Sequence, residues 1–245
     1  MDPASAIADK ITRFSNNQNG VKPRDFKANH PIQIRLQNEF DQNYERQFVL
    51  EIKRGELLYP GRWISNEDAG LFLRAFDLKE PWATHRKSEV LDDLHADLFG
   101  RPEVTADRIV LCQAIIDEIG AALPQLENQL VARYVLVRYL LLYIVREVME
   151  HDEIGKEAIE NPAKFVRDTT TRAKFQTCIR TVVEDLIIDL NGELADVGED
   201  FDYRDRLRDQ KWVTDIRRTL VSEYQKQVRR RRIASISNEW ATANG

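Results

Sequence analysis

Four consecutive arginines, Arg229-Arg230-Arg231-Arg232, close a stretch whose apolar side chains repeat at Trp212, Ile216, Leu220, Tyr224 and Val228. Clustered guanidinium groups neutralise phosphates, so this helix reads as a surface for nucleic acid or for an acidic protein partner. The blander alternative is a solvated helix face that complements the acids just before it. Eight acids and no Lys or Arg lie between Thr181 and Tyr203, whereas Arg204 to Arg232 holds eleven Lys/Arg against four Asp/Glu. The amide run Asn16-Asn17-Gln18-Asn19 is a second candidate binding element, because such amides can bond an adenine edge or a backbone bidentately. The same amides also suit the open end of a helix before the turn at Gly20.

Metal chemistry has little support. Glu147 and His151 stand one helical turn apart, but no third and fourth ligand follows at helical spacing. Asp92, Asp93 and His95 form an isolated cluster that reads as a solvated turn of helix. Cys112 and Cys178 sit in apolar surroundings and read as small buried hydrophobes. With no phosphate-binding loop, dinucleotide fingerprint or nucleophile elbow in the chain, neither a metal nor a cofactor is expected.

Two short patterns resemble nuclease signatures. Arg146 and His151, five residues apart on an all-helical stretch, are similar to the Arg-His signature of the HEPN ribonucleases. That resemblance implies that both side chains act at a scissile phosphate. Arg24 and His30 are a second match, and a histidine at a helix C-terminus is also explained by the helix dipole. Glu51-x-Lys53, with Asp41 upstream, resembles the acid-x-lysine core of a nuclease superfamily in which carboxylates hold Mg²⁺. That core needs a mixed sheet, and charges on a lone edge strand also guard against aggregation.

The elements that must position these residues are mostly helices. Among 245 residues, 31% are charged and 42% hydrophobic, with only 10 Gly and 8 Pro, a balance that excludes collagen-like, low-complexity and disulfide-framework classes. The net charge of −5 argues against a chain that coats nucleic acid with its whole surface. It averages +7 over Arg204 to Arg232 against −12 elsewhere. The longest near-apolar stretch, Tyr134 to Val145, is interrupted by Arg138, so no membrane span is expected. Two distant cysteines and no leader-like N-terminus point to the cytoplasm.

The periodicity predicts a mainly α fold, a helical bundle-like domain with one small β-hairpin near residues 47–59. Residues 1–62 form a helix, an amide turn, a second helix from Pro31 and the hairpin. Residues 63–245 form an all-helical domain with a basic C-terminal helix. Ser65 with Asp68 forms a capping box, Thr105 caps the helix through Ile119, and one central apolar helix runs from about Pro124 to Val148. Further helices cover Pro162 to Leu190 and Asp209 to Trp240.

The run from Ile11 through Asn16-Asn17-Gln18-Asn19-Gly20-Val21 is followed by Arg24-Asp25-Phe26, Asn29-His30-Pro31-Ile32-Gln33 and Lys53-Arg54-Gly55-Glu56. Together these resemble the abortive phage infection protein family (AIPR), most closely over residues 7–56 and more loosely to about residue 102. The resemblance implies a bacterial role in antiviral defence, with no catalytic residue carried over. It also implies that the chain corresponds to the C-terminal portion of a longer protein, whose missing N-terminal part is then a possible partner. The reading from sequence is a helical module of a phage-defence protein acting through partner or nucleic-acid contact. The alternative is a HEPN-like ribonuclease using Arg146 and His151.

Overall fold

The computed structural model describes residues 27, 29–45, 47–52, 62–195 and 201–244. It is 76% helical, with thirteen α-helices and one two-stranded sheet among the described residues. The mainly α class expected from the periodicity holds. The chain divides into two compact units, Met1–Gly70 with Lys87–Pro102, and Leu71–Arg86 with Glu103–Gly245.

In the first unit, helix α1 (Pro31–Tyr44) begins where the sequence places it. Pro31 supplies a first residue that needs no N–H, and His30 Nδ1 accepts from Ile32 N at 3.3 Å. Its inward face is Gln33, Leu36, Phe40 and Tyr44, spaced three and four apart. Strand β1 (Phe48–Glu51) follows, and Phe48 meets the Tyr44 ring edge-on at 5.6 Å.

Among the described residues, the strand pairing differs from the expected hairpin over residues 47–59. The described partner of β1 is β2 (Arg62–Ser65), and the two run parallel, Phe48 opposite Arg62 and Leu50 opposite Ile64. A parallel pair cannot be closed by a tight turn. Leu57, Leu58 and Tyr59, the expected return strand, lie outside the described residues.

Helix α2 (Asn66–Phe76) opens with the expected capping box: Asp68 N donates to Ser65 Oγ at 3.0 Å, and that hydroxyl donates to Asp68 Oδ2 at 2.7 Å. Two short helices, α3 (Lys87–Val90) and α4 (His95–Phe99), complete the first unit. A Cβ on Gly70 would stand 2.0 Å from Val90 Cγ1, so the small residue lets α2 pack close to α3. His95 is 2% exposed, which corrects the solvated turn expected of Asp92, Asp93 and His95. Its imidazole packs edge-on to His30 and lies 3.2 Å from the Gln33 amide nitrogen.

The second unit takes in the C-terminal half of α2, a 3₁₀ turn at Pro81–Ala83, and helices α5 (Ala106–Ala122), α6 (Gln129–Arg133) and α7 (Leu136–Glu150). It continues with α8 (Glu153–Glu160), α9 (Pro162–Val166) and α10 (Thr169–Ala195). Helices α11 (Tyr203–Arg206), α12 (Gln210–Arg229) and α13 (Ile236–Asn244) close the chain. Helix α7 is central, packing on α5, α8, α10 and α12. It buries every residue from Tyr139 to Val145.

The single helix expected from Pro124 to Val148 is broken. Tyr134 turns to an extended ψ of 121°, and its ring packs edge-on to Tyr203 at 5.6 Å. Cys112 and Cys178 are buried, as their apolar surroundings indicate. Burial, helped by the Glu239 and Asp152 carboxylates, pushes the Cys178 thiol up to about 11.

His95 makes the first unit sensitive to acid. Burial above all, then the charges of His30 and Lys27, lower its pKa to about 4. The unfolded chain takes up that proton near 6.5. Stability is therefore fully present above 6.5 and is lost as pH falls through 4. Hydrogen-exchange protection in α1 and α4 is expected to fall between pH 6.5 and 4 in the native protein. His95→Gln, which has no proton to gain, is expected to lack that dependence.

Candidate nucleic-acid interface

The arginine run sits at the C-terminal end of α12, whose inner face is Val213, Ile216, Leu220, Val221 and Tyr224. Composition alone would carry the helix through Arg232, with guanidinium groups pointing all round it. Instead the helix stops at Arg229. Arg231 adopts a left-handed φ of 54°, its N–H bonds Val228 O at 2.9 Å, and the Arg232 N–H bonds Gln227 O at 3.0 Å. These two bonds form a Schellman motif with arginine where glycine is usual. The four side chains are thus carried around a tight corner, all of them exposed. The carbonyl end of α12 adds a negative pole that favours cations there.

None of Arg229, Arg230, Arg231 and Arg232 pairs with a carboxylate among the described residues. The acidic stretch of α10 is engaged differently. Asp189 accepts from Gln227 Nε2 at 3.1 Å and 3.3 Å, while Asp185 lies half-buried with one carboxylate oxygen lacking a bond among the described residues. Burial, then repulsion from Asp189, Glu184 and Glu239, raises the Asp185 pKa to about 6. Burial and the Asp185, Asp152 and Glu239 carboxylates likewise push Tyr224 up.

A cleft of about 240 Å³ opens beside the corner, lined in part by His151, Asp152, Tyr224, Gln225, Arg229 and Ser235. His151 caps the C-terminus of α7, with Nδ1 at 2.7 Å from Glu147 O. That contact turns Nδ1 to the backbone and leaves Nε2 outside it. Asp152 is held internally, accepting from Gly155 N at 3.0 Å, Ser237 Oγ at 2.7 Å and Ser237 N at 3.1 Å.

Arg146 is elsewhere. Its guanidinium lies 2.8 Å from Glu150 and 5.1 Å from the Phe76 ring centre, and it lines a separate cleft with Lys156 and Glu160. His151 thus shares its cleft with Arg229, and Arg146 lines a different one. Asn16, Asn17, Gln18, Asn19, Arg24 and Lys53 fall outside the described residues.

No group of three or more His, Cys, Asp or Glu able to hold a metal occurs among the described residues. Glu147 faces Lys79 and Arg217, not His151. Gln225 and Ser235 had no signal in the sequence, since neither belongs to a charged run. Only the close approach of α7 and α12 makes them neighbours of His151.

By fold and surface this is a mainly α protein with an unpaired cationic corner, and among the described residues no helix is long and apolar enough to cross a membrane. Residues 2–80, about a third of the chain, match the family model described as AIPR protein, which supports an AIPR assignment for that segment. The match supports a role in phage defence through abortive infection. No curated protein and no solved structure matches the chain. The corner and its cleft lie beyond the matched segment.

Two consequences are measurable. Arg231→Gly removes a left-handed side-chain penalty on the order of 1 kcal/mol, so the melting temperature is expected to rise by a few degrees. Asp185 disfavours folding when ionised: its contribution is fully favourable below 3.8 and is lost as pH rises through about 6. Asp185→Asn is expected to raise the melting temperature above pH 6 and to change it little near pH 4. Equal shifts at both values would refute that assignment.

Proposed function

We propose that this chain is a helical module of an abortive-infection protein that contacts nucleic acid through Arg229, Arg230, Arg231 and Arg232. The observation that supports this reading most is the corner itself. Four adjacent guanidinium groups stand exposed with no carboxylate partner among the described residues, on a turn that spreads them instead of wrapping them round a helix. A structural salt-bridge face would have paired them with the acids of α10, where Asp189 is occupied by Gln227 and Asp185 keeps an oxygen with no bond among the described residues. The charge pattern agrees, with a positive final stretch in a chain that is negative overall.

Phosphate binding by arginine releases counterions, so affinity falls with salt by about 0.9 in the logarithmic slope for each phosphate neutralised on a duplex, and about 0.7 on a single strand. Replacing all four arginines by glutamine is expected to flatten that slope by about 3 to 4 and to weaken binding without sequence preference. The check is a salt titration of native and substituted protein by fluorescence anisotropy, alongside an acidic polypeptide as competitor. An unchanged slope would remove the corner from the interface. Binding of the acidic polypeptide alone would favour a protein partner.

A further inference from the structure

The cleft beside the corner suggests what part of a nucleic acid is read. We infer that it seats the terminal phosphate of a single strand, an inference that rests on the nucleic-acid reading above. The cleft, at about 240 Å³, has room for a phosphate and part of its sugar. A duplex is too wide to enter it. A single strand crossing the arginine corner can place its terminal phosphate there.

The lining matches a terminal phosphate in chemistry. A phosphate monoester carries close to two negative charges, against one for an internal diester, and offers three strong acceptor oxygens. Arg229 lines the cleft and has no carboxylate partner among the described residues. His151 is anchored through Nδ1 on the Glu147 carbonyl, which leaves Nε2 available to donate to a phosphate oxygen once protonated. The Gln225 amide adds a neutral donor. The other polar members of the wall are already engaged. Asp152 accepts from Gly155 and Ser237, Tyr224 donates to Ala234 O at 3.4 Å, and the Ser235 hydroxyl donates to Asn238 Oδ1 at 3.0 Å. Arg229 thus belongs to both surfaces, as the inner edge of the corner and one wall of the cleft.

The test uses one single-stranded sequence, labelled internally, with a phosphate at its first end, at its last end, or at neither. Native protein is expected to bind one phosphorylated form about tenfold more tightly than the unphosphorylated strand, the size of one charge-assisted hydrogen bond. The two phosphorylated forms show which end is seated. His151→Gln, and independently Gln225→Ala, are expected to abolish the preference while leaving affinity for the unphosphorylated strand unchanged. Substituting Arg230, Arg231 and Arg232 by glutamine is expected to weaken all three strands together. Equal binding of all three strands by native protein would overturn end recognition and leave the corner standing. Failure of every strand to bind would overturn the corner and the cleft alike.

Discussion

The ion pair between Lys79 and Glu147 is the contact on which the second unit is built. Glu147 is 8% exposed, so its charge cannot rely on water. Lys79 Nζ lies 2.6 Å from it and 2.8 Å from Glu150, and Arg217 approaches to 3.4 Å. Lys79 reaches this position from a left-handed φ of 59°, one turn beyond α2. Burial alone would lower its pKa, and the hydrogen bonds and charges of Glu147 and Glu150 together raise it. Breaking a fully buried pair costs roughly 3–5 kcal/mol, and the 38% exposure of Lys79 reduces that here. An exposed pair such as Lys226 with Glu223 contributes at most about 1 kcal/mol.

The same network sets the site. Arg217 is held by Glu147 and lies 5.8 Å from the Tyr143 ring centre, which fixes where α12 crosses α7. Two turns further along α12 come Tyr224 and Gln225, and one turn beyond Glu147 on α7 comes His151. The two helices advance in the same direction along this seam, so their C-terminal ends meet. The Glu147 backbone carbonyl then orients the His151 ring while its carboxylate anchors Lys79. One residue serves the core through its side chain and the cleft through its backbone.

Helix existence was legible in the sequence because caps and spacing act locally. Thr105, Pro31 and the Ser65–Asp68 box each mark a boundary that backbone bonding confirms. Partner choice was not legible, because it depends on contacts distant in sequence. The β1–β2 pairing is parallel, and the break at Tyr134 accompanies a contact with Tyr203 that no local pattern encodes. Arg146 and His151 are close in sequence but not on one helix face, since five residues turn a helix by about 500° and leave the two side chains about 140° apart. Lys79 drew no notice as a single lysine in a charged chain. His95 looked solvated beside two aspartates, yet its ring is held inward by Gln33 and His30.

The arginine run was legible as composition and illegible as shape. A glycine at residue 231 would end α12 without a side-chain penalty, and Arg231 accepts a left-handed backbone costing roughly 1–2 kcal/mol. Strain of that kind persists only where the surrounding structure determines it, and here two backbone bonds do so. The geometry keeps a fourth charge on the turn at the expense of backbone ease. On a continuing helix, Arg229 and Arg231 would lie some 200° apart and could not meet one phosphate backbone. The sharp stop folds that arc into a corner, and it leaves Arg229 facing the same cleft as His151. Charge density on the turn, not helix continuity, is what this terminus is shaped to supply.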